Sequence, residues 1–153
     1  MAEETWTVKR ILDWTRGYLA EKGDEHPRLS AEWLISDACG LSRIEIYTSF
    51  DRVLTPKELA VMHDGVLRRG RGEPLQYVTG EMPFRHIVLR CERGVLIPRP
   101  ETEILVDAAL LGVDAAKTAG HGAQVLEIGC GTGCICCSIA SERPGVHVTT
   151  TDV

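Results

Sequence analysis

Three glycines at alternate positions constrain the fold of this chain more than any other feature of its sequence. The run QVLEIGCGTGCICCSIA, residues 124–140, places Gly129, Gly131 and Gly133 between two apolar segments. A glycine turn between a buried strand and a helix lets the backbone approach a ligand beside the positive N-terminal end of the helix. With a second strand over VHVTTTDV, residues 146–153, the pattern predicts a βαβ unit of a doubly wound parallel sheet.

The spacing of the glycines separates two classes of nucleotide ligand. The dinucleotide fingerprint Gly-x-Gly-x-x-Gly needs glycine at position 134, where this chain has Cys134. The form found here, Glu127-x-Gly-x-Gly-x-Gly, resembles motif I of class I S-adenosylmethionine-dependent methyltransferases. A carboxylate on the preceding strand can balance the charged ammonium group of that cofactor. Asp152, at the predicted end of the second strand, suits the ribose hydroxyls of either ligand, and a tight turn without a ligand is the remaining alternative.

Apolar residues at helical spacing predict a small helical bundle over residues 1–72. Helices are expected over residues 5–22, 26–40 and 55–70, with a short helical turn at 42–47. The last long helix opens with Thr-Pro-x-Glu at residues 55–58, a capping box with proline at the first helical position. The residues predicted to face the core are Val8, Ile11, Leu12, Thr15, Tyr18 and Leu19 in the first helix, Leu29, Trp33, Ala38 and Leu41 in the second, and Leu59, Met62, Val66 and Leu67 in the last.

The pattern changes near residue 73 and predicts an α/β region in the rest of the chain. Residues 73–97 are expected to form a β-hairpin linker, because LQYVTG is β-prone and RHIVLRCERGVLI alternates between apolar and polar residues. A helix should follow Pro98 and Pro100. Its predicted inward residues are Ile104, Leu105, Ala108 and Leu111.

Charge and apolar runs exclude several classes of protein. A net charge of −5 argues against a protein that holds nucleic acid by bulk electrostatics. The apolar runs are shorter than a membrane helix requires, and MAEETWTVKR is not a signal peptide, so a cytoplasmic protein is expected.

Four of the six cysteines fall within eight residues, at positions 130, 134, 136 and 137. Neighbours this close do not form a disulfide framework. Cys130, Cys134 and Cys137 would share one buried face of a helix, which predicts small apolar packing residues in a reducing compartment. Metal or redox use is the alternative.

Two longer segments carry a specific family resemblance. RRGRGEPLQYVTG, residues 68–80, and VLIPRPETE, residues 95–103, resemble the HemK-type release factor glutamine methyltransferases. The segment PRPET at residues 98–102 is similar to the release-factor branch rather than to the sister family that acts on a ribosomal protein. The resemblance implies a helical partner-docking domain over residues 1–72, a β-hairpin linker over 73–97 and the first part of a Rossmann-like S-adenosylmethionine-binding domain over 98–153.

The resemblance also implies an activity and a set of site residues. The reaction would be methyl transfer from S-adenosylmethionine to the side-chain amide of the glutamine in the Gly-Gly-Gln motif of peptide chain release factors. The implied cofactor-binding residues are Glu127 at the methionine end, Asp152 at the ribose, and Gly129, Cys130, Gly131, Thr132 and Gly133 in the turn. Leu96 and Ile97 would border the pocket, and Arg99 and Glu101 would order the preceding loop.

One element of the family pattern does not occur in these residues. The catalytic Asn-Pro-Pro-Tyr motif, which positions the substrate amide, is absent from residues 1–153. We therefore predict no catalytic residue and no metal ligand here. The chain is expected to be an N-terminal portion that is inactive alone. Its uncovered strands are expected either to self-associate or to be poorly ordered. A non-catalytic module that binds a release factor or the ribosome, a methyltransferase acting on another protein or on DNA, and a nicotinamide-dependent oxidoreductase are the alternatives.

Overall fold

The computed structural model describes residues 5–153, which form two compact units divided between Thr79 and Gly80. The first unit is helical, and the second contains both helices and strands. Within the described residues, no helix combines the length and apolar character that a membrane-spanning segment needs.

The described part of the first unit contains five helices: α1 Val8–Glu21, α2 Pro27–Cys39, α3 Arg43–Thr48, α4 Pro56–Gly70 and α5 Leu75–Thr79. Side chains just before the helices determine where they begin. The Thr55 hydroxyl accepts a hydrogen bond from the Glu58 amide, and the Glu58 carboxylate accepts one from the Thr55 amide at 2.7 Å. This reciprocal pair is the predicted capping box, and Ser42 and Glu45 form a second one at α3.

The buried face of α2 differs from the predicted one. Leu29 is 44% exposed, whereas the fully buried apolar residues are Ala31, Leu34 and Ile35. Of the four predicted residues, Trp33, Ala38 and Leu41 do pack against the core as partly buried side chains, and only Leu29 was wrongly assigned. The carboxylate of Glu32 is also buried on this helix. Glu32 accepts hydrogen bonds from Arg28 and Tyr47 and forms an ion pair with Arg43, and these partners offset the cost of removing its charge from water.

The segment Leu75–Thr79 forms a helix, although its composition predicts a strand. The Pro74 carbonyl accepts hydrogen bonds from the amides of Tyr77 and Val78, which closes the helical turn. At the other end, the Arg68 guanidinium donates to the carbonyls of Tyr77 and Val78 at 2.8 and 3.3 Å. A cation at the C-terminal end of a helix is favourable, so a contact from α4 stabilises α5 against the local β preference.

The second unit contains a hairpin, two longer helices and a parallel strand pair: β1 Glu81–Phe84, β2 Ile87–Arg90, α6 Pro100–Thr118, β3 Gln124–Ile128, α7 Cys134–Glu142 and β4 His147–Thr151. Strands β1 and β2 are antiparallel, and β3 and β4 are parallel, with Gln124 opposite His147 and Ile128 opposite Thr151. The predicted hairpin and βαβ order are both present, which confirms the mixed helix and strand character of this part of the chain.

The inward face of α6 also differs from the prediction. Ile104, Leu105 and Leu111 are 70%, 55% and 72% exposed, while Val106 and Leu110 are buried in the core of this unit. The buried residues Val106, Leu110 and Val113 recur at helical spacing and form the inward face. The Arg85 guanidinium donates to the carbonyl of Glu103 and to the carboxylate of Asp107 on the same helix.

Strand β3 is covered on one face only. Val125 packs against the buried core, whereas Leu126 and Ile128 are 63% and 81% exposed. One apolar face of β3 is thus exposed in the described residues, as expected for a strand that is left uncovered. Glu127 follows the same alternation as Val125 and is half-buried.

Asp24 links the α1–α2 connection to the end of α4, and we expect it to stabilise the helical unit. It is 3% exposed and accepts two hydrogen bonds from the Arg69 guanidinium, at 2.7 and 2.9 Å. Burial alone would raise the pKa of Asp24, but the hydrogen bonds from Arg69, Ser30 and the His26 amide outweigh burial and lower the pKa to about 2. Because the folded-state pKa is depressed, the stabilisation is complete above pH 4 and is lost as the pH falls toward 2.

The Asp24→Asn substitution should lower the free energy of unfolding at pH 7 by about 2 kcal/mol. Tryptophan fluorescence during urea unfolding reports this unit alone, because Trp6, Trp14 and Trp33 all lie in it. Asp13→Asn is the matched control, since Asp13 is 47% exposed and pairs with surface cations. Two results would contradict a stabilising role of the Asp24 carboxylate. One is an equal loss of unfolding free energy in both variants. The other is a loss in Asp24→Asn that does not shrink between pH 4 and pH 2.

Candidate functional site

The parallel pairing of β3 and β4 brings the glycine turn beside the residues that follow β4. The ladder continues one residue beyond the strands, where the Gly129 amide donates to the Thr151 carbonyl at 2.7 Å. The Cys130 amide donates to the same carbonyl at 3.3 Å. The turn and Asp152 therefore lie at one edge of the strand pair, as predicted for a βαβ unit.

The three glycines of the turn have left-handed backbone conformations, with φ of 77° at Gly129, 52° at Gly131 and 75° at Gly133. Their surroundings differ. A Cβ atom at Gly133 would lie 3.2 Å from the Cys137 sulfur, whereas one at Gly129 would have no neighbouring heavy atom within 4 Å. The turn is therefore closely packed where α7 begins and open where β3 ends.

Asp152 is an exposed carboxylate anchored to the turn. It accepts hydrogen bonds from the amides of Gly131 at 2.5 Å and Val153 at 2.8 Å. These amides, with a smaller contribution from the Cys130 thiol, lower the pKa of Asp152, so it is ionised at neutral pH. A carboxylate offers about four acceptor positions, and these three donors leave acceptor capacity facing solvent.

Glu127 is directed toward α7. Its carboxylate accepts a hydrogen bond at 2.9 Å from the amide of Cys136, the third residue of the helix. The first amides of a helix lack partners within the helix and carry partial positive charge. Glu127 therefore caps α7 from the adjacent strand, and its predicted role toward the methionine end of a cofactor stays a prediction.

The predicted turn residues Cys130 and Thr132 contact neighbours within the turn. The Cys130 carbonyl accepts a hydrogen bond from the Gly133 amide at 2.7 Å, and its thiol lies near Asp152. The pKa of the Cys134 thiol is raised chiefly by burial, and the neighbouring Thr132 side chain opposes this shift. Both residues shape the turn, and their contact with a ligand is untested.

The cysteine cluster is divided between the interior and the surface. Cys134 is buried, as the packing interpretation predicts, but Cys137 is exposed. Cys130 lies in the turn before the helix begins, so the predicted helical face shared by Cys130, Cys134 and Cys137 does not exist. Within residues 5–153, no group of three histidine, cysteine or acidic side chains could hold a metal ion.

Val95 contacts the turn and was not predicted to do so. Its Cγ1 atom lies 3.5 Å from the position that a Cβ on Gly131 would take, whereas the predicted pocket residue Leu96 is 74% exposed. The apolar run before PRPET contains no signal that distinguishes Val95 from Leu96, and the border of a cofactor pocket there stays a prediction. Arg99 immediately precedes α6 and Glu101 lies in its first turn, so both are at the start of that helix.

Comparison with known proteins supports the family resemblance. Residues 10–80 match the family described as PrmC N-terminal domain. The release factor glutamine methyltransferase of Geobacter sulfurreducens is 47% identical over 145 residues, covering 95% of this chain and 49% of that protein. Those of Rhodopirellula baltica and Chlorobaculum tepidum are 41% and 38% identical, covering 97% and 99% of this chain and 50% and 52% of theirs. The chain thus spans about half the length of these curated relatives.

Replacement of Glu127 should weaken the start of α7. Without the carboxylate, the Cys136 amide loses its acceptor, and a lost helix cap costs about 1 kcal/mol. Hydrogen exchange should therefore show faster exchange at Cys136 in Glu127→Ala. Glu127→Gln keeps an acceptor oxygen and should retain most of the protection. Equal protection of Cys136 in the wild type and the Ala variant would show that Glu127 does not cap the helix.

Replacing Gly129 or Gly133 by alanine should distinguish the cost of backbone strain from the cost of steric crowding. Gly129→Ala and Gly133→Ala share a left-handed φ, 77° and 75°, which costs about 1–2 kcal/mol for a residue with a side chain. Only the methyl group at position 133 meets sulfur atoms, at 3.2 and 3.4 Å. Hydrogen exchange of the second unit should therefore show a larger loss of stability in Gly133→Ala, and the reverse order would contradict the packing described here.

Proposed function

We propose that this chain, a relative of the release factor glutamine methyltransferases, supplies the S-adenosylmethionine site of a protein-(glutamine-N5) methyltransferase. The observation that carries the proposal is the charge of the glycine turn. The ionised Asp152 is anchored on the Gly131 amide at the open side of the turn, and the Glu127 carboxylate lies on its helix side. The ligand that suits this turn is a cationic cofactor rather than a phosphate.

The residues of the turn fit this cofactor. The free acceptor capacity of Asp152 would receive the ribose hydroxyls, and the Cys130 thiol would turn away if both hydroxyls bind. The open space beside Gly129 would admit the cofactor close to the backbone. Glu127 would contribute negative charge near the ammonium group, while Cys130, Gly131, Thr132 and Gly133 complete the wall. When bound, the cofactor supplies an electrophilic methyl group.

A nicotinamide dinucleotide suits the turn less well. Its pyrophosphate binds to unpaired amides at a helix N-terminus, and a third glycine there allows close packing of helix against strand. In this turn, the amides of Gly129, Cys130, Gly131 and Gly133 all donate within the protein. The position of the third glycine is occupied by the buried Cys134.

The proposed substrate is the glutamine amide of the Gly-Gly-Gln motif in peptide chain release factors, which places the reaction in the cytoplasm, where translation ends. Support comes from the names of the relatives, which cover nearly all of this chain. We assign residues 1–72 to docking of the release factor, 73–97 to a linker and 98–153 to the start of a Rossmann-like sheet. The parallel order β3–α7–β4 supports the last assignment.

Calorimetric titration of this chain should show preference for S-adenosylmethionine, or its demethylated product, over NAD. Asp152→Ala should weaken binding at least about tenfold, since hydrogen bonds to a charged group would be lost. Asp107→Ala is the matched control, because Asp107 is a 64% exposed carboxylate of the same unit that pairs with Arg85. Tighter binding of NAD, or equal effects of the two substitutions, would contradict the cofactor proposal.

A chimeric protein tests the reaction itself. This chain would replace the 145 matched residues of the Geobacter relative, and mass spectrometry would follow methylation of the release-factor glutamine. We expect methylation by the chimera and its loss when Asp152 is alanine. A chimera that binds the release factor and the cofactor without methylating glutamine would instead favour the non-catalytic binding module.

A further inference from the structure

Two adjacent cysteines at the start of α7 hold their sulfur atoms close together. The Sγ atoms of Cys136 and Cys137 are 4.0 Å apart. Cys137 is exposed and Cys136 is half-buried, with its sulfur 3.3 Å from the Gly133 carbonyl. Solvent therefore reaches the pair at Cys137, whereas the Cys136 sulfur contacts the backbone of the glycine turn.

The separation of the sulfurs determines what can join them. A disulfide requires an S–S distance of about 2.05 Å, so these residues would have to leave their helical geometry to form one. A single thiophilic atom, bonded to two sulfurs at about 2.3 Å with bond angles of about 90–110°, holds them about 3.3–3.8 Å apart. The observed 4.0 Å is therefore much closer to the separation in a bridge through one atom than to that in a disulfide.

The number of available ligands narrows the identity of that atom. A protein zinc site uses three or four side-chain ligands, and the described residues contain no such group. A trivalent organoarsenical carries its own carbon substituent and needs only two sulfurs. We propose that Cys136 and Cys137 form a vicinal dithiol site that is modified by trivalent organoarsenicals.

The reaction is a condensation without a change of oxidation state. An arsenic oxide R–As=O reacts with two thiols, two As–S bonds form, and both thiol protons leave with the oxygen as water. Arsenic stays trivalent and no oxidant is required. The first bond forms at exposed Cys137. Burial, the Glu127 carboxylate and the neighbouring thiol raise the pKa of Cys136 to about 12, so its sulfur enters the second step as a thiol and gives its proton to the departing oxygen.

The position of the pair gives the modification a consequence. The sulfurs of Cys137 and Cys136 lie 3.2 and 3.4 Å from where a Cβ on Gly133 would be. A bridging arsenic with its substituent would press against the glycine turn. It should therefore reduce cofactor affinity, a consequence that rests on the function proposed above, whereas the modification itself does not.

Phenylarsine oxide, followed by intact-protein mass spectrometry in excess glutathione, tests the site. The wild-type chain should retain one phenylarsenic group and release it to ethanedithiol. Since the second bond is intramolecular, Cys136→Ser and Cys137→Ser should each lower retention about 100-fold. Cys39→Ser and Cys130→Ser are the matched controls and should retain the group. Circular dichroism would establish that each variant is folded, and Cys136→Ala replaces any serine variant that is not.

The experiment must also exclude a different dithiol pair, formed by Cys134 and Cys137. Cys134 and Cys137 are separated by two residues, but Cys134 is buried. If Cys134→Ala abolishes retention while Cys136→Ser keeps it, the pair is wrongly assigned. Retention in Cys137→Ser would overturn the proposal as well. The mass measurement is made without cofactor. Its result therefore does not depend on whether the chain binds S-adenosylmethionine.

Discussion

The register of β3 against β4 is the constraint on which the candidate site depends. Ile128 pairs with Thr151 at the end of the two strands. One residue later, the Gly129 amide donates a hydrogen bond to the Thr151 carbonyl. This register places Asp152 within hydrogen-bond distance of Gly131, a residue 21 positions earlier in the chain. A slip of one residue would move every side chain of β4 to the opposite face, and the carboxylate would no longer meet the turn. The same register keeps β3 beside α7, where Glu127 caps the helix.

Features determined by a few adjacent residues could be predicted from the sequence. The glycine turn could, because left-handed conformations at alternate positions strongly favour glycine, and so could the capping box of Thr55 and Glu58. Features that depend on distant partners could not. The β-prone Leu75–Thr79 is helical because the Arg68 guanidinium binds its last carbonyls. The buried face of α2 includes a carboxylate whose cationic partners come from two different helices.

The direction of Glu127 shows a signal that was present in the sequence but not used. Side chains alternate along a strand, so Glu127 must share the face of Val125, which packs against the core beneath the helices. A carboxylate on that face, next to the first turn of α7, has the helix amides as its nearest partners. The same alternation assigns Leu126 and Ile128 to the exposed face. Family resemblance indicated that position 127 should be acidic, whereas strand periodicity determines what the acid contacts.

The carboxylates of Asp152 and Glu127 make the electrostatic potential at the glycine turn differ from that of a phosphate-binding loop. A phosphate loop presents unpaired amides and an uncompensated helix dipole, both positive. Here four amides of the turn donate to carbonyls or to Asp152, and Glu127 offsets the dipole of α7. A bound pyrophosphate would find these four amides already engaged within the protein. A cofactor with positive charge and sugar hydroxyls would meet an acceptor for its hydroxyls and a favourable potential for its charge. Glycine spacing and charge therefore both favour the cofactor class proposed above.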